Sequence, residues 1–178
     1  MTTTALPAPT RATTADIGLL ILRIGVGAAI FQAGLIKAFD FGTTVEFMAA
    51  GGWRLPTLAA LMVTTAETLG GTGLILGVLT PLAAFAVIAT MIDAWAVNVS
   101  AAAFWSQPFN APFLIGIGAT ALLFVGAGAY SVDARVLGRT TWSPRIAMGL
   151  LVAAAAAAVV TWVALNGTNP IHFSTPAQ

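Results

Sequence analysis

The chain has 178 residues, 58% of them hydrophobic and only 7% charged, with a formal net charge of +1 and a mean hydropathy of +0.94. A soluble domain carries about 25% charged residues; thirteen Lys, Arg, Asp and Glu side chains cannot cover a soluble surface, so the bilayer is the solvent for most of this chain. The lack of cysteine and the single histidine exclude a disulfide, a thiolate zinc site, an iron–sulfur cluster and a bis-histidine haem within the chain, and the near-zero net charge gives no footprint for nucleic acid.

Residues 1–15, with Thr2–Thr4, Pro7 and Pro9, are short of bulky apolar side chains and are expected as a disordered tail. Five apolar stretches then approach the roughly 20 residues a membrane span needs: Ile17–Ala38, Thr57–Leu79, Leu82–Val99, Ala111–Ala129 and Ile146–Leu165. The first continues well past Arg23 with no compact basic region before it, and is read as an uncleaved span. Pro56, Pro81, Pro112 and Pro144 stand at or next to the starts of the other four, where a missing N–H costs little. In the second, Gly73 and Gly77 form a GxxxG helix-packing pattern. The expected architecture is an all-α polytopic membrane protein. A four-helix bundle over residues 16–135 is followed by a loop and a fifth helix over 136–165, then a tail over 166–178 with the lone His172, a tail residue and not a metal ligand.

With alternating helices, Arg11, Arg135, Arg139 and Arg145 lie on one side and Lys37 and Arg54 on the other. Basic residues favour the cytoplasm, so the N-terminus and the Tyr130–Pro144 loop are expected inside an inner (plasma) membrane and the C-terminus outside. Trp53, Phe104, Trp105 and Trp162 then form an outer aromatic belt, with Tyr130 and Trp142 at the inner interface. Asn98-Val-Ser and Asn166-Gly-Thr match the glycosylation pattern and read as chance.

Arg23, Glu67 and Asp93 fall inside the first three spans, where each costs roughly 2.5–3.5 kcal/mol at a helix centre. At about 1.5 Å per residue, Arg23 lies roughly 9 Å from the inner end of its span, Glu67 near the middle and Asp93 roughly 16 Å in. At about 100° per residue, Arg23 shares a stripe with Gly27, Gly34 and Lys37, Glu67 with Ala60, Thr64, Gly70 and Gly71, and Asp93 with Ala86, Ala89, Thr90, Ala96 and Ser100. These small-residue faces are those that helices bury against one another in lipid. The three ionisable groups are therefore expected to converge, with Gln32 on the opposite face of its helix. One cation against two carboxyls leaves a negative charge unmatched, so one of Glu67 and Asp93 is expected to be neutral, or to be balanced by a cation or a polar ligand. The trio reads either as an ion pair that fixes helix register or as a pocket for a headgroup, a quinone or a proton. Trp95, two residues from Asp93, is a possible ligand wall or a packed ring.

Leu20–Arg23 with Gly25, Gly27, Gly34 and Lys37, the run Ala66-Glu67-Thr68-Leu69-Gly70-Gly71, Phe104-Trp105, and Gly126-Ala-Gly-Ala-Tyr130-Ser-Val-Asp133 together resemble the DoxX family of small bacterial membrane proteins over roughly Ile17–Arg135. The resemblance implies a four-helix membrane bundle, extended here by a fifth helix. It also implies kinship with a membrane subunit of a thiosulfate:quinone oxidoreductase and with a membrane partner of a sulfurtransferase and a superoxide dismutase. Arg23 and Glu67 match the family's polar pair, and Gly70, Gly71, Tyr130 and Asp133 are its motif positions. Gln32 and Asn98 stand where relatives often have histidine, and Asn110 where a glutamate is common. The expected function is an accessory or scaffold subunit of a membrane redox or stress-response system, docking a soluble redox or sulfurtransferase-type partner through its basic loop. The alternatives are a quinone-reactive subunit and a small-solute or lipid carrier, the last enlarged by homo-oligomerisation. No cofactor is expected within the chain itself, quinone being the candidate from outside; electrons must come from a partner.

Overall fold

A computed structural model describes residues 12–98 and 110–168. The tail up to Arg11, Val99, Ser100, Phe104, Trp105, His172 and the side chain of Asn98 lie outside the described residues. Among the described residues seven helices follow in chain order: α1 (Thr14–Phe39), α2 (Phe41–Ala50), α3 (Pro56–Leu76), α4 (Thr80–Asn98), α5 (Ala111–Val125), α6 (Val132–Val136) and α7 (Pro144–Thr161). A π-helical turn, Trp162–Asn166, extends α7. Among the described residues there is helix and no strand.

The helix ends follow from local chemistry. Thr13 and Asp16 form a reciprocal capping box at the start of α1, satisfying two orphan N–H groups. Pro sits in the first turn of α3, α5 and α7, as the sequence requires. The second apolar stretch stops at Leu76 because Gly77 takes the left-handed conformation, φ 63°, as the C-cap. Gly77 is therefore a helix terminator and not half of a packing motif. Among the described residues, four helices are long and apolar enough to cross a membrane: α1, α3, α4 and α7 with its π turn. The expected fourth crossing, Ala111–Ala129, is shorter. Its helix ends at Val125 because Gly126 adopts φ 92°, ψ −167°, and 15 residues span only about 22 Å of a hydrocarbon core about 30 Å thick.

α1 lies along α3, α3 along α4 and α4 along α5, each pair antiparallel, while α7 packs on α4 with its C-terminal end beside the C-terminal end of α4. The apolar centre is built from Ile30, Leu74, Val87, Ile88, Leu122 and Leu123. Small residues set the helix spacing, since lipid tails offer no hydrophobic drive to bring helices together. A Cβ on Gly71 would stand 2.6 Å from the Phe31 amide nitrogen and 2.8 Å from the Gly27 carbonyl oxygen, so α1 and α3 touch backbone to backbone. Gly71→Val is expected to separate them and lower stability by about 1–3 kcal/mol, the usual overpacking penalty, read as a fall in melting temperature in detergent.

The short helix α2 was not anticipated from the sequence. It is capped by Asp40, whose carboxylate accepts the Thr43 N–H at 3.3 Å, and it packs on α3 through Thr44 and Met48. Asp40 ahead of apolar Phe41, Val45 and Met48 is the signal that could have revealed it. Trp53 and Trp162, expected in the outer belt, are instead buried. Their rings meet edge to face with centroids 5.6 Å apart, locking the α2–α3 turn to the π turn. The Asn166 side chain donates to the Gly51 carbonyl at 2.9 Å across the same seam. Tyr130 is exposed, as a belt residue would be.

Candidate functional site

The structure divides the expected trio of ionisable residues between two levels of the bundle. Two of the three helix stripes lie at packing seams as their periodicity predicts: Arg23, Gly27 and Gly34 are buried in α1, and Ala60, Thr64, Glu67, Gly70 and Gly71 in α3, while Gln32 is exposed. In the third, Ala86, Ala89, Thr90 and Asp93 are only half-buried, because α4 turns Ala83, Ala84, Val87, Ile88 and Met91 to the core. The stagger along the bundle decides the partners. Gly34 packs on Thr68, and Gly27 on Gly71 and Ile75, so Arg23 comes level with Gly77. That is ten residues, or about 15 Å, beyond Glu67.

At that end Arg23 is 0% exposed. Its Nη2 donates to the Tyr130 carbonyl, while Nε and Nη1 make no hydrogen bond among the described residues. Asp133 is the neighbouring opposite charge. Its carboxylate accepts the Leu79 N–H at 2.8 Å, the Thr80 N–H at 2.9 Å and the Thr80 hydroxyl at 2.8 Å, so it caps α4 from a distant segment. The Asp133 N–H donates to the Gly77 carbonyl at 2.8 Å, and the Ala129 N–H to Asp16 at 2.8 Å. The Gly126–Asp133 segment is thus a stitch that ties the start of α1 to the α3–α4 turn. It uses the Tyr130 backbone, and its chemistry is structural.

At the other level, Glu67 pairs with Lys37, Nζ to Oε2 at 2.7 Å, a partner that sequence reasoning placed at the membrane edge. The Glu67 side chain is 3% exposed and that of Lys37 29%. Nζ also reaches the Ala33 carbonyl at 3.4 Å. Lys37, Glu67 and Asp93 line one cavity of about 300 Å3 between α1, α2, α3, α4 and α7. The Asp93 stripe (Ala86, Ala89 and Thr90) forms part of its wall, and so do Phe47, Trp53 and Phe85. The Trp53 indole nitrogen is buried and makes no hydrogen bond among the described residues. Asp93 also borders a second cavity, of about 320 Å3, that reaches Trp162, Gly167 and Thr168. Trp95 lines that second cavity and a third one against α5, not the first.

A bundle of long apolar helices, four of them long enough to span a bilayer among the described residues, marks a multi-pass membrane protein, and it borders an apolar cavity on which a few charged groups converge. The DoxX family model matches residues 18–100, and the chain carries a DoxX domain there. That stretch holds Arg23, Lys37, Glu67, Gly70, Gly71 and Asp93, whereas Tyr130 and Asp133 lie beyond it. No curated protein and no solved structure matches the chain significantly.

Proposed function

We propose that this DoxX-domain protein is an accessory membrane subunit of a redox or stress-response system, whose cavity holds a lipophilic molecule with a polar head. One observation carries the reading: Lys37, Glu67 and Asp93 border an otherwise apolar cavity at a depth where ionisable groups are costly and mark ligand or ion sites. With no cysteine and one tail histidine, these residues bind, pair and hold protons, and electrons come from a partner. The exposed loop residues Arg135 and Arg139 offer that soluble partner a basic surface. In this reading α5 completes a fifth crossing, because it lies against α1 with Val26 beside Gly118 and Asp16 bonded to Ala129. The basic loop and the start of α1 then face the cytoplasm of a bacterial inner membrane.

Isolation of the tagged full chain in mild detergent, followed by mass spectrometry of protein and extracted lipid, tests this reading. We expect a co-purifying lipophilic molecule together with a soluble redox or sulfurtransferase-type protein. Reproducible recovery of the lone chain without either would overturn it.

The second reading, a quinone-reactive subunit, is favoured by the Trp53 indole N–H. A quinone needs a flat apolar slot and a donor for each carbonyl. Phe47 and Phe85 supply walls, with the unpartnered Trp53 N–H and the Lys37 ammonium as donors. Arg23, the donor expected from the sequence, does not border this cavity. On this second reading alone, Trp53→Phe, which keeps an aromatic ring and removes the N–H, weakens binding of a short-chain quinone by about fivefold, the worth of one neutral hydrogen bond. Unchanged binding in a variant of normal stability would remove the quinone reading.

A further inference from the structure

We propose that the cavity selects lipophilic monovalent cations, with the Asp93 carboxylate as the counter-charge. This deepens the proposed ligand site, and rests on it, by naming what the site prefers.

The charge inventory of the wall carries the argument. Lys37 and Glu67 neutralise each other at 2.7 Å. Asp93 lines the same space, and its carboxylate makes no ion pair or side-chain hydrogen bond with any described residue. With the Asp93 carboxylate ionised, the cavity presents one net negative charge in a setting that is otherwise hydrocarbon, and such a charge attracts an opposite one strongly. A metal ion fits poorly, because besides the alanines Ala86, Ala89 and Ala94 the wall near Asp93 offers only the hydroxyls of Thr90 and Thr161, the first already donating to the Ala86 carbonyl at 2.8 Å, too few oxygens to replace a shell of water ligands. A bulky organic cation fits better, since its charge is spread and its surface is apolar.

Aromatic rings complete the match. Trp53, Phe47 and Phe85 border the first cavity, and Trp95 and Trp162 border the second, which Asp93 shares. Ring faces attract cations, tryptophan most strongly. Asp93 thus stands at the junction of two aromatic-lined spaces, one of them reaching the end of the bundle at Gly167 and Thr168. Carboxylate, rings and cavity size all point to one ligand class: a tertiary or quaternary ammonium, or a phosphonium, with apolar substituents.

The test uses full-length protein in zwitterionic phosphatidylcholine nanodiscs, with empty nanodiscs subtracted. Equilibrium binding is measured for tetraphenylphosphonium, for tetraphenylborate, which has the same shape and the opposite charge, and for a neutral short-chain quinone. We expect saturable binding of tetraphenylphosphonium only, weakened about tenfold or more by Asp93→Asn, retained by Asp93→Glu and unaffected by Glu46→Gln on α2. Should Asp93→Asn fail to fold, the wild-type protein still decides the matter. A hydrophobic carbodiimide should label Asp93, and tetraphenylphosphonium should protect it in peptide maps. Equal binding of the borate, unchanged affinity in a folded Asp93→Asn variant, or no protection of Asp93 overturns the proposal. Saturable quinone binding without phosphonium binding overturns this inference alone and leaves the ligand cavity standing, whereas no saturable binding of any probe and no co-purifying lipophile overturns both.

Discussion

Replacing Lys37 with methionine is expected to destabilise the protein by about 3 kcal/mol, because it leaves the Glu67 carboxylate buried without its counter-charge. Glu67 is 3% exposed and Lys37 29%, so the penalty falls on the acid and is eased by water that enters beside Lys37. The lower end of the range for a broken buried pair therefore applies. Pairing Lys37→Met with Glu67→Leu removes both charges and is expected to recover most of the loss, since buried ion pairs replaced by apolar residues are often neutral in stability. Thermal unfolding of the four proteins in one detergent completes a double-mutant cycle. If the double variant is as unstable as Lys37→Met alone, the loss comes from packing of the lysine stem and not from the stranded carboxylate.

Asp133→Ala is expected to have a comparable effect, about 3–5 kcal/mol, through a different cause. Its carboxylate is the acceptor for three donors: the Leu79 and Thr80 N–H groups and the Thr80 hydroxyl. Asp133 is 1% exposed and Thr80 0%, so water does not replace it, and each stranded buried donor costs about 1–3 kcal/mol. The variant also leaves Arg23 without its neighbouring negative charge and α4 without its cap, while Leu79 must still hold its positive φ of 48°. Asp133→Asn keeps the shape and one acceptor, and is expected to lose about half as much. Hydrogen exchange should localise the damage: faster exchange at Leu79 and Thr80 with the Lys37 level unaffected. Uniform acceleration along all helices would show instead that the stitch is part of the global core.

These two ends of the bundle show what periodicity reveals and what it leaves out. A 3.6-residue repeat fixes direction around a helix axis, and in α1 Arg23, Gly27 and Gly34 do face inward and Gln32 out. It says nothing about sliding along the axis. The glycine contacts of α1 with α3 set that register. They carry Lys37 to Glu67 and leave Arg23 a further ten residues down α3. An arginine near a carboxylate in depth thus looked like its partner when a lysine at the helix end was closer.

The Tyr130–Asp133 motif was legible as residues but not as a role, because its partners, Arg23 and Leu79–Thr80, lie 107 and 53–54 residues away. Hydropathy located the apolar stretches but could not show that Gly126 ends α5 early. It also could not show that Trp53 and Trp162 turn toward each other rather than toward the headgroups. Both outcomes are set by tertiary contacts, not by local preference.

The Arg23–Tyr130 hydrogen bond has a consequence for how the chain is made. Its two ends are 107 residues apart, and translation at about 5–20 residues per second places roughly 5–20 s between them. During that interval the first helix leaves the ribosome, and is inserted, with a guanidinium whose carbonyl partner has not been synthesised. The insertion machinery or the lipid headgroups must shelter that charge until residue 130 arrives. A nascent chain stalled before Tyr130 has left the ribosome should therefore stay bound to the insertion machinery, or be removed by membrane proteases, more readily than one stalled after the whole Gly126–Asp133 segment has emerged.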